Sequence, residues 1–459
     1  MQPMIGLEIH ISLNTKTKLF CSCPNNNAGL PNTECCDICT GFPGSKPVLN
    51  KKAVEYALKL CLALNCKIAP EIIFSRKTYF YPDMGKNYQI TQYELPLGSN
   101  GILELADKKI RIRRIHLEED PAALIHQGST VLIDYNRSGT PLCEIVTEPD
   151  LSSPEEAREF LKRLLTIIQY LKIFDLKNGI VKADANVSIK PHERIEVKNI
   201  NGFKEIERAI SYEIERQKQL VNEGKPITHR ETRGWKSDKG ITIFQRSKES
   251  EEDYGYIIDP DLVSIELTKE DIEKTKKSLP ELPKEKAVKY HSKYKIPKID
   301  AEVLANDYEL TELLEEAISK KVDPLFAAEW IRREVSRVLN YSKKELHETF
   351  IAKNLIEVLD TISKNKITRR TGQKLMELLT EKDVNIKEYI KSQGLESVSN
   401  TQEIEEICKK VLKKNEKAVK EYLEGNEKSF MFLIGQCMRA SKGKADPKTL
   451  NEILKKLIK

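Results

Sequence analysis

Hydrophobic and polar positions alternate strictly close to the start of the chain. From 5 to 13, every odd position holds Ile or Leu, and every even position holds Gly, Glu, His or Ser. A period of two predicts a β-strand with one buried face. Glu8 and His10 then share the open face, with about 7 Å between their Cα atoms. The pair could reach one metal ion or one substrate, although a Glu and a His on an open strand face are usually just solvated.

The same patterns predict a sheet-rich first part and a helical second part. Alternation predicts strands, and apolar residues three or four positions apart predict amphipathic helices. The predicted elements of the first part are the helices 48–68, 153–171 and 203–222 and the strands 110–115, 131–135, 179–189 and 195–197. Composition changes after the proline-containing stretch 278–283, and from Asp300 onwards the pattern is helical.

We therefore predict an α+β protein with three domains. Residues 1–290 would form a mixed α/β domain with an antiparallel sheet, and residues 291–395 an all-α linker domain. Residues 396–459 would form a small, basic, all-α tail. The stretch 392–401 contains Gly and Ser and is the plausible joint in front of that tail.

Two pairs of cysteines follow the first predicted strand. Cys21, Cys23, Cys36 and Cys39 fall within 19 residues and flank a loop rich in Gly, Pro and Asn. This spacing is typical of a closed tetrahedral zinc site, in which four thiolates leave no position for water. Such a zinc ion would hold the loop in place and would not catalyse. The alternative is four unrelated buried thiols, and Cys35 could replace Cys36 in the set.

Two further stretches carry candidate chemistry. Glu118, Glu119 and Asp120 are adjacent at the end of a predicted strand, and neighbouring carboxylates are tolerated in open water or around a cation. The stretch 75–93 mixes aromatic residues with lysines and is broken by a proline and a glycine. It could stack on a nucleotide or on the end of an RNA, or it could be a packed surface loop.

Composition excludes some classes of protein. Hydrophobic residues make up 39% of the chain and charged residues 32%, and no run of 18 apolar residues occurs, which argues against a membrane span. The N-terminus lacks the pattern of a signal peptide. Outside the cysteine loop, the cysteines are scattered among apolar neighbours, as free thiols in a reducing cytoplasm are. We therefore predict a cytoplasmic protein.

The positive charge is concentrated near the C-terminus. Residues 408–459 contain 14 Lys and Arg against 6 Asp and Glu, whereas the whole chain carries a net charge of only +6. This excess suggests a phosphate-bearing partner such as a nucleic acid, although a well-solvated helical surface would look the same. The chain has no G-x-x-x-x-G-K-[ST] motif, so any bound ATP would not lie in a P-loop.

Several long motifs, taken together, resemble a known family. They occupy positions 5–10, 14–21, 41–44, 79–83, 116–120, 144–150, 231–235, 432–436 and 442–445. The chain resembles the GatB family, the B subunits of the aspartyl/glutamyl-tRNA amidotransferases, over nearly its whole length. The resemblance implies a cradle-shaped catalytic domain with a zinc loop, then a helical linker domain and a YqeY-like tail that binds tRNA.

The family's activity is what the resemblance implies for this chain. Such enzymes are carbon–nitrogen ligases with glutamine as the amide donor. The GatB subunit uses ATP and Mg²⁺ to phosphorylate the side-chain carboxylate of misacylated Glu-tRNA(Gln) or Asp-tRNA(Asn). Ammonia that the amidase partner (GatA) frees from glutamine travels through a channel and displaces the phosphate. A small third partner (GatC) joins the other two in a heterotrimer, and the non-discriminating aminoacyl-tRNA synthetase is a further candidate partner.

The resemblance also implies roles for individual residues. The predicted Mg²⁺ ligands are Glu8, His10, Glu118 and Glu119, and the predicted structural Zn²⁺ ligands are the four cysteines. Glu119 is also expected to act in catalysis together with two lysines at the gate of the ammonia path. The remaining predicted residues are the lysines Lys77 and Lys86, the substrate-pocket tyrosines Tyr81 and Tyr88, and the tRNA contacts Arg439, Lys442 and Lys444.

A function of another class also fits part of the sequence. The chain could be a non-catalytic, zinc-stapled protein that binds tRNA and delivers it. The adjacent carboxylates of Glu118, Glu119 and Asp120 argue against this alternative, because carboxylates repel the phosphates of an RNA.

Overall fold

The structure, a computed structural model, describes residues 2–26, 29–175, 181–247, 254–396, 401–441, 445 and 447–458. The chain divides into two compact units, Met1–Leu282 and Pro283–Lys459. The division falls within the proline-containing stretch 278–283, whereas the boundary predicted from the sequence lies at 290. Among the described residues, no helix combines the length and the apolar character needed to cross a bilayer.

All the strands that the described residues form lie in the first unit, together with five helices. The strands are β1 Met4–Ser12, β2 Lys67–Ile68, β3 Glu71–Ile72, β4 Ser75–Thr78, β5 Tyr88–Thr91, β6 Gly98–Glu104, β7 Lys109–Glu119, β8 Ala123–Gln127, β9 Thr130–Asp134, β10 Pro141–Thr147, β11 Val181–Ser188, β12 Ile195–Asn201, β13 Glu231–Lys236, β14 Ile241–Ser247, β15 Ile257–Ile258 and β16 Ile265–Glu266. The helices are α1 Asp37–Thr40, α2 Lys51–Ala63, α3 Pro154–Leu171, α4 Phe203–Asn222 and α5 Lys269–Lys277.

The described part of the second unit is helical, as predicted. Its α-helices are α6 Pro283–Tyr294, α7 Lys298–Ala305, α8 Tyr308–Ser319, α9 Pro324–Trp330, α10 Ser336–Ser342, α11 Ile351–Ser363, α12 Arg369–Leu378, α13 Ile386–Ser392, α14 Thr401–Lys414, α15 Glu416–Leu423, α16 Glu427–Ala440 and α17 Pro447–Ile458. Its buried residues form two hydrophobic clusters, one from Tyr290 to Ile390 and one from Ile404 to Ile458. The boundary at 395 stays a prediction, because 283–459 groups as one unit.

One large sheet organises the first unit. In the described residues its nine strands lie in the order β14-β13-β12-β11-β1-β10-β7-β6-β2, and each neighbouring pair is antiparallel except β12 and β13. The sheet therefore has one parallel pair where the sequence predicted an antiparallel sheet. The prediction of an α+β protein is confirmed.

Strand β1 lies in the middle of this sheet because one of its faces is entirely apolar. Ile5, Leu7, Ile9 and Ile11 are at most 1% exposed and belong to the main hydrophobic cluster of the unit. Burying one such side chain stabilises the fold by about 2 kcal/mol. The helices α2 and α4 contact strands of this sheet and contribute apolar residues to the same cluster. The opposite face of β1 is left for polar residues.

Candidate active site

The register of the central strands gathers polar side chains on the open face of the sheet. Residues directly opposite each other on antiparallel strands point to the same side. His10 of β1 lies opposite Glu144 of β10, which in turn lies opposite His116 of β7. Glu118, two residues further along β7, therefore faces the same way, as does Glu8 on β1. Three adjacent strands thus bring three carboxylates and two imidazoles to one place.

The distances show a closed arrangement of two histidines and two glutamates. His10 Nε2 lies 3.2 Å from Glu118 Oε1 and 3.9 Å from Glu144 Oε2. His116 Nε2 lies 3.0 Å from Glu144 Oε2 and 3.9 Å from Glu118 Oε2. His10 is the outer of the two imidazoles, since its side chain is 20% exposed and that of His116 only 3%. We call Glu8, His10, His116, Glu118 and Glu144 the acidic cluster.

Positively charged imidazoles pair with negatively charged carboxylates within the acidic cluster. Burial alone would lower the pKa of His10, but its hydrogen bond to Glu118 and the nearby carboxylates raise that pKa to about 10. Burial is likewise outweighed at His116, where Glu144 and Glu118 raise the pKa to about 9. Burial would raise the pKa of Glu144, yet His116 lowers it to about 2. The two imidazoliums thus neutralise two of the three carboxylates.

The donor atoms fit a divalent cation. Single ligand atoms of Glu8, His10 and Glu144 all lie within 4.8 Å of one another, and so do those of His116, Glu118 and Glu144. Glu144 Oε1 is buried and has no hydrogen-bond partner in the described part of the chain. Burial and the charge of Glu144 raise the pKa of Glu8, whereas the positive charges of Lys198 and His10 oppose this shift. Carboxylate oxygens are the ligands that Mg²⁺ prefers, and Mn²⁺ also accepts imidazole.

A second cluster consists of thiols. The Sγ atoms of Cys21, Cys23, Cys36 and Cys39 lie within 4.8 Å of one another. A hydrogen bond from Cys21 lowers the pKa of Cys39 to about 5, against the effect of burial and with help from the Cys36 backbone N–H and Lys18. Four sulfur ligands with a thiolate among them fit zinc.

Cys35 lies outside the thiol cluster. Its Sγ is 3.3 Å from the backbone oxygen of Asn32, which it reaches as a hydrogen-bond donor. The sequence left open whether Cys35 could replace Cys36, and the geometry favours Cys36.

Comparison with known proteins identifies the family of the chain. Residues 3–273 match the family model of the GatB/GatE catalytic domain, and residues 312–458 match the model of the GatB domain. The chain belongs to the GatB family. It is 43% identical to the B subunit of the aspartyl/glutamyl-tRNA(Asn/Gln) amidotransferase of Thermodesulfovibrio yellowstonii, with 100% of this chain and 99% of the relative covered. The corresponding proteins of Thermotoga maritima and Ruminiclostridium cellulolyticum are 42% and 45% identical, with 100% and 99% of this chain and 99% and 96% of the relatives covered.

The structure brings together three of the four GatB residues expected to bind Mg²⁺. Glu8, His10 and Glu118 meet in the acidic cluster, but Glu119 does not. Adjacent residues of a strand point to opposite faces, so Glu119 turns away from Glu118. Its Oε1 accepts a 2.9 Å hydrogen bond from the backbone N–H of Ile90 and forms an ion pair with the ammonium of Lys86. The expectation that Glu119 shares the metal site is therefore corrected.

The sequence reading missed two members of the acidic cluster. Glu144 and His116 were not among the predicted site residues, although both fall within motifs of the GatB family. The signal that could have found them is alternation. In 114–118 the polar residues Arg, His and Glu occupy the even positions, and in 142–146 Glu144 stands between apolar residues. To assign Glu144 and His116 to one site also requires knowing that β10 pairs with both β1 and β7.

Lys86 lies in a buried aromatic setting beside Glu119. Its side chain is 9% exposed, and its Nζ is 5.5 Å from the centre of the Tyr88 ring. The guanidinium of Arg76 lies 4.4 Å from the same ring. The structure therefore joins Lys86, Glu119 and Tyr88 in one group.

The remaining predicted site residues, which include the tRNA contacts, lie in other surroundings. Lys77 Nζ is 4.6 Å from the centre of the Tyr254 ring, and Tyr81 is 52% exposed. Arg439 lies in the last turn of α16, near the end of the chain. Lys442 and Lys444 lie outside the described residues.

Proposed function

We propose that this chain is the component of a tRNA-dependent amidotransferase that activates the side-chain carboxylate of Glu-tRNA(Gln) or Asp-tRNA(Asn). The observation that carries this proposal is the acidic cluster on the open face of the sheet. Membership of the GatB family and the names of the relatives support the substrate class. The activity would be that of an ATP-hydrolysing carbon–nitrogen ligase acting in the cytoplasm, where charged tRNA is used.

The proposed reaction has two steps. A carboxylate is a poor electrophile, so one of its oxygens first attacks the γ-phosphorus of ATP. The bond from that phosphorus to the oxygen bridging the β- and γ-phosphates breaks, and ADP leaves. Ammonia then attacks the acyl carbon, the nitrogen sheds a proton, and inorganic phosphate departs with the former carboxylate oxygen. The product is the amide, Gln-tRNA(Gln) or Asn-tRNA(Asn).

The acidic cluster would hold the divalent cation that this chemistry needs. Glu8, Glu118 and Glu144 would supply carboxylate oxygens, and His10 would supply Nε2 after releasing its proton as the cation binds. A bound Mg²⁺ offsets the negative charges of the triphosphate and the carboxylate, which otherwise repel each other. His116 holds the Glu144 carboxylate from the inner side of the cluster.

The group formed by Lys86, Glu119 and Tyr88 suits the handling of ammonia. Ammonia attacks only as NH₃, so an incoming ammonium ion must lose a proton to a base. Glu119 is such a base, and the ion pair with Lys86 keeps its carboxylate in place. We assign Lys77 to the same path and Tyr81 with Tyr88 to the substrate pocket. A channel from the amidase GatA, with GatC as the joining partner, would deliver the ammonia.

The other predicted partners complete the proposal. The thiol cluster would bind a structural Zn²⁺, and the tail would bind the body of the tRNA through Arg439, Lys442 and Lys444. The non-discriminating aminoacyl-tRNA synthetase would supply the misacylated tRNA.

The proposed reaction is tested by following one oxygen atom. Glu-tRNA(Gln) in which both oxygens of the side-chain carboxylate are the heavy isotope is incubated with the enzyme, ATP, Mg²⁺ and ammonium chloride. We expect one heavy oxygen in the inorganic phosphate for each amide formed, because the phosphate leaves with a carboxylate oxygen. Amide formation with unlabelled phosphate would refute the acyl-phosphate route. Binding of tRNA with no amide formed would favour the non-catalytic alternative, a tRNA delivery protein.

The proposed role of the tail gives a separate prediction. Deleting the residues after 396 should weaken tRNA binding and flatten its dependence on salt, because each lost phosphate contact removes about 0.7 to 0.9 from the slope of log K against log salt. Filter binding at several salt concentrations measures both quantities. Binding of Mn²⁺ by the truncated chain serves as the control and should be unchanged. An unchanged tRNA affinity at low salt would show that the tail is not the tRNA-binding part.

A further inference from the structure

Arg114 is an arginine beside the acidic cluster that the proposed chemistry has not yet used. It lies on β7 two residues before His116, and it pairs across the sheet with Val146 of β10. Val146 in turn lies opposite Glu8 of β1. Arg114 therefore faces the same side as the acidic cluster, about 10 Å from Glu8 between Cα atoms, since two strand spacings separate them.

The guanidinium of Arg114 lacks hydrogen-bond partners in the described part of the chain. Its Nη2 lies 3.9 Å from Glu144 Oε1, which is too far for a hydrogen bond. Its Nε is buried and has no partner. Buried polar groups without a partner are rare in folded proteins and call for an explanation. The side chain as a whole is 32% exposed, so a ligand can reach it.

The neighbouring arginines of the same strand behave differently. Arg111 forms two hydrogen bonds to the carboxylate of Asp150, at 2.9 and 2.7 Å. Arg113 forms two to the carboxylate of Glu148, at 3.0 and 2.9 Å. Each of these two guanidinium groups is thus paired with a carboxylate, whereas that of Arg114 forms no hydrogen bond within the described residues.

An irregularity of the sheet directs Arg114 towards the cluster. Val146 pairs with Arg114, but the next residue of β10, Thr147, pairs with Ile112. Arg113 is therefore one extra residue in β7, a β-bulge. Ile112 and Ile115 are both fully buried, three positions apart, so the alternation changes phase between them. Bulges of this kind occur beside active sites, where they turn a side chain towards the site.

We propose that Arg114 binds an oxyanion of the substrate over Val146, between its own guanidinium and the cation held by the acidic cluster. The proposal rests on the function proposed above. The planar guanidinium presents a fork of N–H groups that matches two oxygens of a phosphoryl group or of a carboxylate. Either the phosphates of ATP or the side-chain carboxylate of the aminoacyl-tRNA can supply that chemistry.

The test compares binding of a cation with binding of an anion by the full-length chain. Three variants are used: Arg114→Met, Arg114→Lys and, as matched control, Arg113→Met. The probes are Mn²⁺ alone, a non-hydrolysable ATP analogue with Mn²⁺, and the pair Glu-tRNA(Gln) and Gln-tRNA(Gln). For Arg114→Met we expect unchanged or tighter binding of Mn²⁺, because a positive charge close to Glu144 is removed. Binding of the oxyanion should weaken by about 10- to 100-fold, the effect of losing hydrogen bonds to a charged group.

The two sources of the oxyanion give different results. Weaker binding of the ATP analogue would identify a phosphoryl group as the ligand. Loss of the preference for Glu-tRNA(Gln) over Gln-tRNA(Gln) would identify the side-chain carboxylate. Arg114→Lys should recover part of the affinity, since it keeps the charge and loses the fork. Arg113→Met should bind all probes as the wild type does.

Other outcomes would overturn the proposal. If Arg114→Met weakens Mn²⁺ binding as much as binding of the oxyanion, Arg114 merely supports Glu144. If the variant binds every probe like the wild type, Arg114 has no part in binding while the proposed function survives. A wild-type chain that binds neither the nucleotide nor the aminoacyl-tRNA would refute the proposed function and this inference with it.

Discussion

Replacing Glu144 by glutamine should lower the rate of ATP-dependent amidation by at least about 100-fold, since even a partner that orients a metal ligand is worth 10- to 100-fold. The substitution keeps the shape of the side chain and removes its charge. Glu144 touches both imidazoles of the acidic cluster, and its buried Oε1 has no hydrogen-bond partner in the described residues. The neutral amide would therefore weaken the cation site and leave Glu118 as the carboxylate close to both imidazoliums. Single-turnover amidation with ammonium chloride as nitrogen source measures the effect without the amidase.

The matched control for this experiment is Glu148→Gln. Glu148 lies just beyond β10 and forms an ion pair with Arg113, outside the acidic cluster. This substitution should leave the amidation rate within about twofold, because exposed ion pairs contribute only about 0 to 1 kcal/mol. A Glu144→Gln enzyme as active as the Glu148→Gln control would show that the cluster does not hold the catalytic cation.

Replacing Cys39 by serine should lower the affinity of the chain for zinc by at least roughly 100-fold. The variant loses one of the thiolate ligands itself, and losing only a group that orients a ligand already costs about 10- to 100-fold. The hydrogen bond from Cys21 lowers the pKa of Cys39, which favours the thiolate that zinc binds, and Lys18 Nζ lies 3.5 Å from the Cys39 Sγ. Zinc content by mass spectrometry, together with the rate of proteolysis in the loop, measures the result.

Cys35→Ser is the control for the thiol cluster. Cys35 neighbours the cluster in sequence, but its thiol hydrogen bonds to the backbone of Asn32. This variant should retain one zinc per chain and resist proteolysis like the wild type. Loss of zinc in both variants, or in neither, would contradict the assignment of the four ligands.

Close backbone contacts link the loop of the thiol cluster to Lys86, the lysine that we assign to the ammonia path. Gly41 ends α1 with a φ of +78°, and a Cβ there would lie 2.7 Å from the backbone nitrogen of Lys86. A Cβ on Gly85 would come within 2.4 Å of the backbone oxygen of Thr40. The residues after Cys39 therefore support the turn that carries Lys86. We expect Cys39→Ser to reduce amidation as well, although the acidic cluster remains intact.

The sequence predicts the parts of this site that lie close together along the chain better than those that come from separate strands. The alternation of 5–13 places Glu8 and His10 on one open face, because a strand's own periodicity determines where its side chains point. The same rule, applied to β7, would have separated Glu118 from Glu119, but the adjacency of the carboxylates suggested a shared ion. Glu144 required knowledge of which strands are neighbours, and no local pattern contains that information.

The remaining differences also arise from contacts between distant segments. The sequence 110–115 contains the adjacent residues Arg113 and Arg114, which break its alternation, but only the alignment of β7 with β10 shows that Arg113 is the extra residue of a bulge. The parallel pairing of β12 with β13 follows from the helix α4 that connects them, which carries the chain back before the next strand begins. The cysteine spacing, by contrast, is local, and it predicted the thiol cluster residue by residue.

The most direct test of the proposed cation site is anomalous diffraction from a crystal of the protein soaked in Mn²⁺. The arrangement of the acidic cluster predicts a manganese peak about 2.0 to 2.4 Å from ligand atoms of Glu8, His10 and Glu144 or Glu118. Glu119 should remain paired with Lys86 in the same crystal. A map with no peak at the acidic cluster, or with manganese bound by Glu119 instead, would contradict this account.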